Sequence, residues 1–220
     1  MKKKLLNVIA FSFIGIASYA QVQLDNTGSL LSFNKSPEFI ENVAGSQYET
    51  EGFKSAHVNE GTQSFLIRYN NYKDLMEYKK DAKTILELIP EHNKTIKFSD
   101  GELYILKTYP IDKKETKEGY LKIIEQGDKV SLYSSTRVKY NKGTKAQNSY
   151  DTDRPSTFSK EKTKYFLEVD GKIQNISKAK DVRKILESKD DEIKNYLKKN
   201  DVELDEASAN HFIKFLNSIL

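Results

Sequence analysis

Residues 94–110 read "KTIKFSDGELYILKTYP". Two runs rich in β-branched and aromatic residues flank Asp100-Gly101, a dipeptide that tolerates the positive φ of a tight turn. The stretch therefore predicts a hairpin with strands over 94–98 and 103–109. The same pattern returns in "GYLKIIEQGDKVSLY", residues 119–133, where Gly127-Asp128 separates strands expected over 119–126 and 129–140. It also precedes, in "FLIRYNNYKDLMEYKK", residues 65–80, with Asn70-Asn71 between strands over 63–69 and 72–78. Residues 82–89, "AKTILELI", read as a strand rather than a short helix, because Thr84 and Ile85 are β-branched and Pro90 ends the run. Hairpins joined by short local turns predict an antiparallel meander, curled into a partial barrel or packed as a sandwich.

Past residue 140 the chain changes character twice. Residues 141–160 are almost entirely polar and too long for an ordinary hairpin loop, which predicts a mobile excursion. "TKYFLEVDGKIQNI" then resumes a strand, an Asp-Gly turn and a strand. After Ser177 the apolar period lengthens from two to between three and four. Val182, Ile185 and Leu186 share one face; Ile193, Tyr196 and Leu197 share a second; Phe212, Ile213, Leu216, Ile219 and Leu220 share a third. Three short amphipathic helices follow, with Ser177, Asp190 and Asp205 as expected N-caps. The fold class is α+β: a β domain over 61–176 and a helical segment over 177–220. Residues 21–60 form a polar, turn-rich lead-in, expected to be partly disordered and to add at most an edge strand.

The first twenty residues, "MKKKLLNVIAFSFIGIASYA", combine a basic start, an apolar run from Leu5 to Ile16 and small residues at Ser18 and Ala20. This is the pattern of a signal peptide cut near Ala20. The apolar run is short for a bilayer span, so a retained transmembrane segment is the lesser reading. With no cysteine there is no disulfide and no lipidated cysteine. The chain holds 36 Lys+Arg against 32 Asp+Glu, a formal +4. Loss of Lys2, Lys3 and Lys4 would leave a mature chain of about +1, so no net field attracts nucleic acid. Periplasmic, outer-envelope or secreted placement fits.

His57, His92 and His211 are scattered and match no metal-binding spacing, so no metal or other cofactor is expected. Asp151–Asp153 and the acids of 189–192 lack the further oxygen ligands of a calcium loop. No nucleophile elbow, phosphate-binding loop or dinucleotide fingerprint occurs, and no catalytic residue is assigned. Glu77, Glu102 and Glu125 are expected on the solvent face of a one-sided sheet. Tyr104, Tyr109, Tyr120, Tyr133, Tyr140, Tyr165 and Phe166 accompany the strands and are expected in the core or at its margins rather than as a ligand platform.

The cluster in 65–80 is the one that looks like a site. A two-residue turn at Asn70-Asn71 places Tyr69, Tyr72 and Asp74 on the aromatic face and turns Arg68 away; a four-residue loop keeps that parity, whereas a three-residue loop reverses it. Asp74, Tyr69 and Tyr72 thus read as structural residues, with Asp74 accepting turn amides or a tyrosine hydroxyl. Arg68 reads as a surface side chain or a partner of Glu77, and Asp74→Ala is expected to destabilise more than Arg68→Ala.

The order of segments, "RYNNYKDLMEY", "YLKIIEQGDKVSLY", "KYFLEVDGK" and the closing "DEIKNYLKKNDVELDEASANHFIKFLNS", resembles a recurrent type of uncharacterised secreted protein of flavobacteria and their relatives. The resemblance spans residues 60–220. It implies envelope or extracellular placement and a β domain with a helical C-terminus, and it carries over no site residues. The leading functional expectation is a non-enzymatic binding or scaffolding protein, with an envelope protein or a glycan as partner. A hydrolase or carbohydrate-active protein using Asp/Glu chemistry and a small-ligand carrier are the alternatives.

Overall fold

The structure, a computed structural model, describes residues 43–220 except 113, 147, 149 and 205, together with the backbone of two earlier strands. The expected signal peptide lies outside the described residues. The early strands are β1 (Gln21–Leu24) and β2 (Leu30–Lys35). There follow β3 (Lys54–Val58), β4 (Ser64–Asn70), β5 (Leu75–Lys79), β6 (Ile85–Leu88) and β7 (Thr95–Phe98). Next come β8 (Leu103–Pro110), β9 (Thr116–Glu125), β10 (Val130–Ser135), β11 (Val138–Asn141) and β12 (Thr157–Lys160). β13 (Lys164–Val169) and β14 (Lys172–Ile176) precede the helices α1 (Val182–Ile185), α2 (Asp190–Lys199) and α3 (Glu206–Ile219), which short 3₁₀ turns introduce.

Twelve strands form one antiparallel sheet in the order β1-β2-β6-β5-β4-β3-β7-β8-β9-β10-β13-β14, and β11 and β12 form a separate ribbon. Of the two architectures left open by the sequence, the curled sheet, a partial barrel, is the one adopted. Residues 85–88 are a strand, as their β-branching predicts. The lead-in contributes more than an edge: β3 sits mid-sheet between β4 and β7.

The sheet curls twice, in opposite senses, and β8 marks the change. Tyr104 and Leu106 belong to one core with Phe65, Ile67, Tyr69, Met76 and Phe98. Ile105 and Tyr109, pointing the other way, belong to a second core with Leu121, Tyr133 and Phe166. In the first curl Tyr69 of β4 reaches across to Tyr104 of β8 at 5.2 Å between ring centroids. In the second, Tyr109 of β8 meets Phe166 of β13 at 4.8 Å. A strand buried on both faces loses the polar-apolar alternation of a one-sided sheet, which is why "YILKTY" reads as a nearly continuous apolar run.

The helices cover the outer face of the second curl. Phe212, Ile213 and Leu216 of α3 pack with Val130, Leu132, Leu167 and Ile176. Asn217 fixes the register of that packing: its Oδ1 accepts the Lys129 and Val130 backbone N–H groups, each at 3.0 Å, and its Nδ2 donates to the Val130 carbonyl at 2.8 Å. At Asp170-Gly171 both residues have positive φ, 48° and 78°, and Val169 pairs with Lys172, a two-residue turn of the type the dipeptide encodes. The expected caps differ in detail. Asp181, not Ser177, satisfies the first turn by accepting the Ser177 and Lys178 N–H groups at 2.9 and 3.0 Å. Asp190 is the first residue of α2 and pairs with Arg183 at 2.6 Å. Asp205 lies outside the described residues.

Two strand expectations shift, and both shifts build the site. The first hairpin turns through four residues, 71–74, with Arg68 opposite Glu77 and Asn70 opposite Leu75. Asn70 stays in the strand because its side chain is consumed there: Oδ1 accepts the Lys73 N–H at 2.9 Å and Nδ2 donates to Glu77 at 2.8 Å. Tyr72 consequently stands in the turn rather than in a strand. The expected 129–140 strand breaks at Thr136-Arg137, where β11 leaves the main sheet.

Candidate functional site

The corner at Thr136-Arg137 is tied to the tip of the first hairpin, about 65 residues away in sequence. Asn71 Nδ2 donates to the Thr136 carbonyl at 2.8 Å, and the Val138 N–H donates to the Asn71 carbonyl at 3.3 Å. Between these backbone contacts lies Asp74, held at φ 64°, a conformation that aspartate tolerates better than most side chains. Its Oδ1 accepts the Tyr69 hydroxyl at 2.7 Å and the Tyr120 backbone N–H at 3.0 Å, and lies 2.7 Å from Arg137 Nη1. Its Oδ2 pairs with Lys117 at 3.0 Å. Arg137 also donates to the Tyr69 hydroxyl at 2.9 Å and to the Tyr72 carbonyl at 3.3 Å. Gly119 is required beneath this carboxylate, because a Cβ there would overlap Asp74 Oδ2.

Burial, reinforced by the Asp74 carboxylate, holds the Tyr69 phenol well above its ordinary pKa, and the buried Tyr120 phenol is raised for the same two reasons in the same order. Both phenols ionise more readily in the unfolded chain, so their contribution is intact below pH 10 and lost as pH rises above it. Each is expected to remove about 1.4 kcal/mol per pH unit there. Phenolate absorbance and circular dichroism should then change together in one alkaline transition; free titration of these tyrosines ahead of unfolding would contradict the geometry.

Next to this corner opens a cleft of about 410 Å³. Among the described residues its walls carry Lys117, Arg137, Lys139 and Lys164, against a single acid, Glu161. Tyr72, Tyr109, Tyr140 and Phe166 supply the apolar part. The rings are packed rather than free: Tyr72 and Tyr140 sit 5.2 and 5.6 Å from Phe158 across the β11–β12 ribbon. Lys117 is 5.5 Å from the Tyr109 ring centroid and is occupied by Asp74. Lys139 and Lys164 are exposed and have no ion-pair partner among the described residues. Ser135, 7% exposed, lines the cleft with a buried hydroxyl that has no hydrogen-bond partner among the described residues. The arrangement can receive an anionic group: two uncommitted ammonium groups and an arginine held in place from behind.

A second polar cluster lies on the opposite side of the hairpin. Glu77, expected on the solvent face, is 2% exposed. It is clamped by Arg68 at 2.7 Å, by Asn70 at 2.8 Å and by the Tyr48 hydroxyl at 3.1 Å. Arg68 stacks on Tyr48 and on Phe53, with its guanidinium carbon 3.8 and 4.3 Å from the ring centroids. The correction has a simple cause: the segment before β3 folds over this face and seals it. Glu102 remains at the surface, paired with Lys54 and Lys122 at 3.1 Å each, and Glu125 lies 3.9 Å from Lys214.

The sequence-predicted residues Tyr69 and Asp74 therefore meet in one cluster, and Tyr72 joins through its carbonyl and by lining the cleft. Arg137, Lys117, Lys139 and Lys164 escaped the sequence reading. The one signal for Arg137 was its position where a strand pattern passes into a polar stretch. The three histidines stay apart on β3, before β7 and on α3, and among the described residues no group of three or more His, Asp or Glu is placed to hold a metal ion. No described helix is long and apolar enough to cross a membrane. No family model, curated protein or solved structure matches the chain.

Proposed function

We propose that the protein is a secreted or periplasmic binding protein, without catalytic chemistry of its own, that holds an anionic ligand in the cleft beside Arg137. The observation that carries this reading is the pair Lys139 and Lys164, uncommitted cations on a cleft where Glu161 is the one acid among the described lining residues. Charge without an internal counterion is costly to gather and is stabilised by an external anion. The signal-peptide pattern and the resemblance to secreted proteins of flavobacteria support placement outside the cytoplasm, where an acidic glycan of the envelope is the fitting partner.

Digalacturonate is a suitable probe. It is expected to shift the backbone resonances of Ser135, Lys139 and Lys164, and Lys139→Ser with Lys164→Ser should weaken it about tenfold or more, since charge-assisted bonds are lost. Unmoved resonances at high probe concentration, or equal affinity in the double variant, would defeat the assignment.

A further inference from the structure

The cleft beside Arg137 does not end at β13. A second cleft of about 340 Å³ shares Ile111 and Lys164 with it and continues past Lys162 and Asn175 to Ser177. A third, of about 520 Å³, has no lining residue in common with the second; Lys178, which follows Ser177 in the chain, lines it with Lys180, Arg183 and Lys184. Four cations line the first cleft, Lys162 joins them in the second and four more line the third, against the acids Glu161, Asp181 and Asp190. Two of those acids are already used, since Asp190 pairs with Arg183 and Asp181 accepts backbone N–H groups; three of the cations are used as well, Lys117 and Arg137 by Asp74 and Arg183 by Asp190. This basic path lies on a chain whose formal charge is only +4, signal-peptide lysines included. The Lys178 ammonium lowers the pKa of Lys180 beside it, with the Asp181 carboxylate acting in the opposite direction.

From this succession of basic clefts we infer that the ligand is a linear acidic polysaccharide, which enters the cleft beside Arg137 and crosses the start of β13 and the end of β14 to the lysines before α1. The inference rests on the cleft reading above and extends it from a single anionic group to a chain of them. A repeating anion suits a row of cations because each further contact is made at high effective concentration. A nucleic acid would need open ring faces for its bases. Here Tyr109 and Phe166 are 3% and 1% exposed and packed on each other. An acidic peptide would need side-chain pockets for anchoring, whereas the path offers ammonium groups, hydroxyls and ring edges, which match carboxylated, hydroxyl-rich sugar rings.

The test compares digalacturonate with octagalacturonate on the full chain and on a variant carrying Lys178→Ser, Lys180→Ser and Lys184→Ser, three exposed residues whose loss should leave thermal unfolding unchanged. The longer probe is expected to bind at least about tenfold more tightly than the shorter. The triple variant should lose that advantage while binding digalacturonate as before. If digalacturonate binds and the octamer gains nothing, or the triple variant keeps the gain, the extended path is overturned and the cleft reading stands. If neither probe binds, the cleft reading falls and the path with it. Tighter binding of an oligodeoxythymidylate or an oligoglutamate of equal charge overturns the saccharide assignment.

Discussion

Arg68→Met is expected to cost about 3–5 kcal/mol in urea unfolding, the range for removing one partner of a buried pair. The physical reason is what stays behind. Glu77 is 2% exposed, and without Arg68 its carboxylate keeps only neutral donors, Asn70 and the Tyr48 hydroxyl. Burial and the neighbouring Glu77 already raise the Tyr48 pKa, so that phenol cannot take over as a charge partner by ionising, and it would add a second anion if it did. Arg68 also holds the segment before β3, through the Glu51 carbonyl at 3.1 Å and the Tyr48 and Phe53 rings. Its loss should expose residues 47–53 to proteolysis before global unfolding. The companion Arg68→Met with Glu77→Leu removes the stranded charge and should recover most of the stability. A cost below about 1 kcal/mol for the single variant, the range of an exposed pair, would contradict the burial.

Asp74→Ala is the second large effect, expected near 2–4 kcal/mol, because one carboxylate serves four donors of the corner. Tyr69, Arg137, Lys117 and the Tyr120 N–H all lose an acceptor. The cost stays below that of Arg68→Met because the stranded cations can relax. The Lys117 side chain is 33% exposed and the Arg137 side chain 18%, and both border the open cleft. This reverses the order expected from the sequence, where Arg68 read as a surface side chain or a partner of Glu77; it is the partner, and the pair is buried. Gly119→Ala gives an independent check, since it displaces the same carboxylate sterically while leaving it ionised. It should destabilise in the same direction and loosen the 71–74 turn, seen as faster amide exchange at Asp74 and Tyr120. Unchanged exchange in both variants would show that Asp74 does not join the hairpin to the corner.

The hairpins, the strand over 85–88 and the three amphipathic helices follow from local chemistry: turn dipeptides that accept positive φ, β-branched runs, and apolar periods of two and of three to four. Loops of two and four residues preserve the same alternation, so Ile67 and Tyr69 still share a face with Met76 and Tyr78 although the loop length differed. Everything in the site beyond that parity was invisible locally. Arg137 reaches Asp74 across 63 positions because a strand breaks and re-aims at Thr136. Glu77 is buried because the Tyr48–Phe53 segment closes over it. The cleft opens where β11 leaves the main sheet next to the end of β8 and the start of β13. By itself, then, the sequence determined the hairpins around Asp100-Gly101 and Asp170-Gly171, the strand over 85–88 and the three helices, since those depend on neighbours a few residues apart. Which charges are buried, which cations meet, and where an anion can be received were decided by the tertiary structure alone, since long-range strand pairing sets every one of those distances.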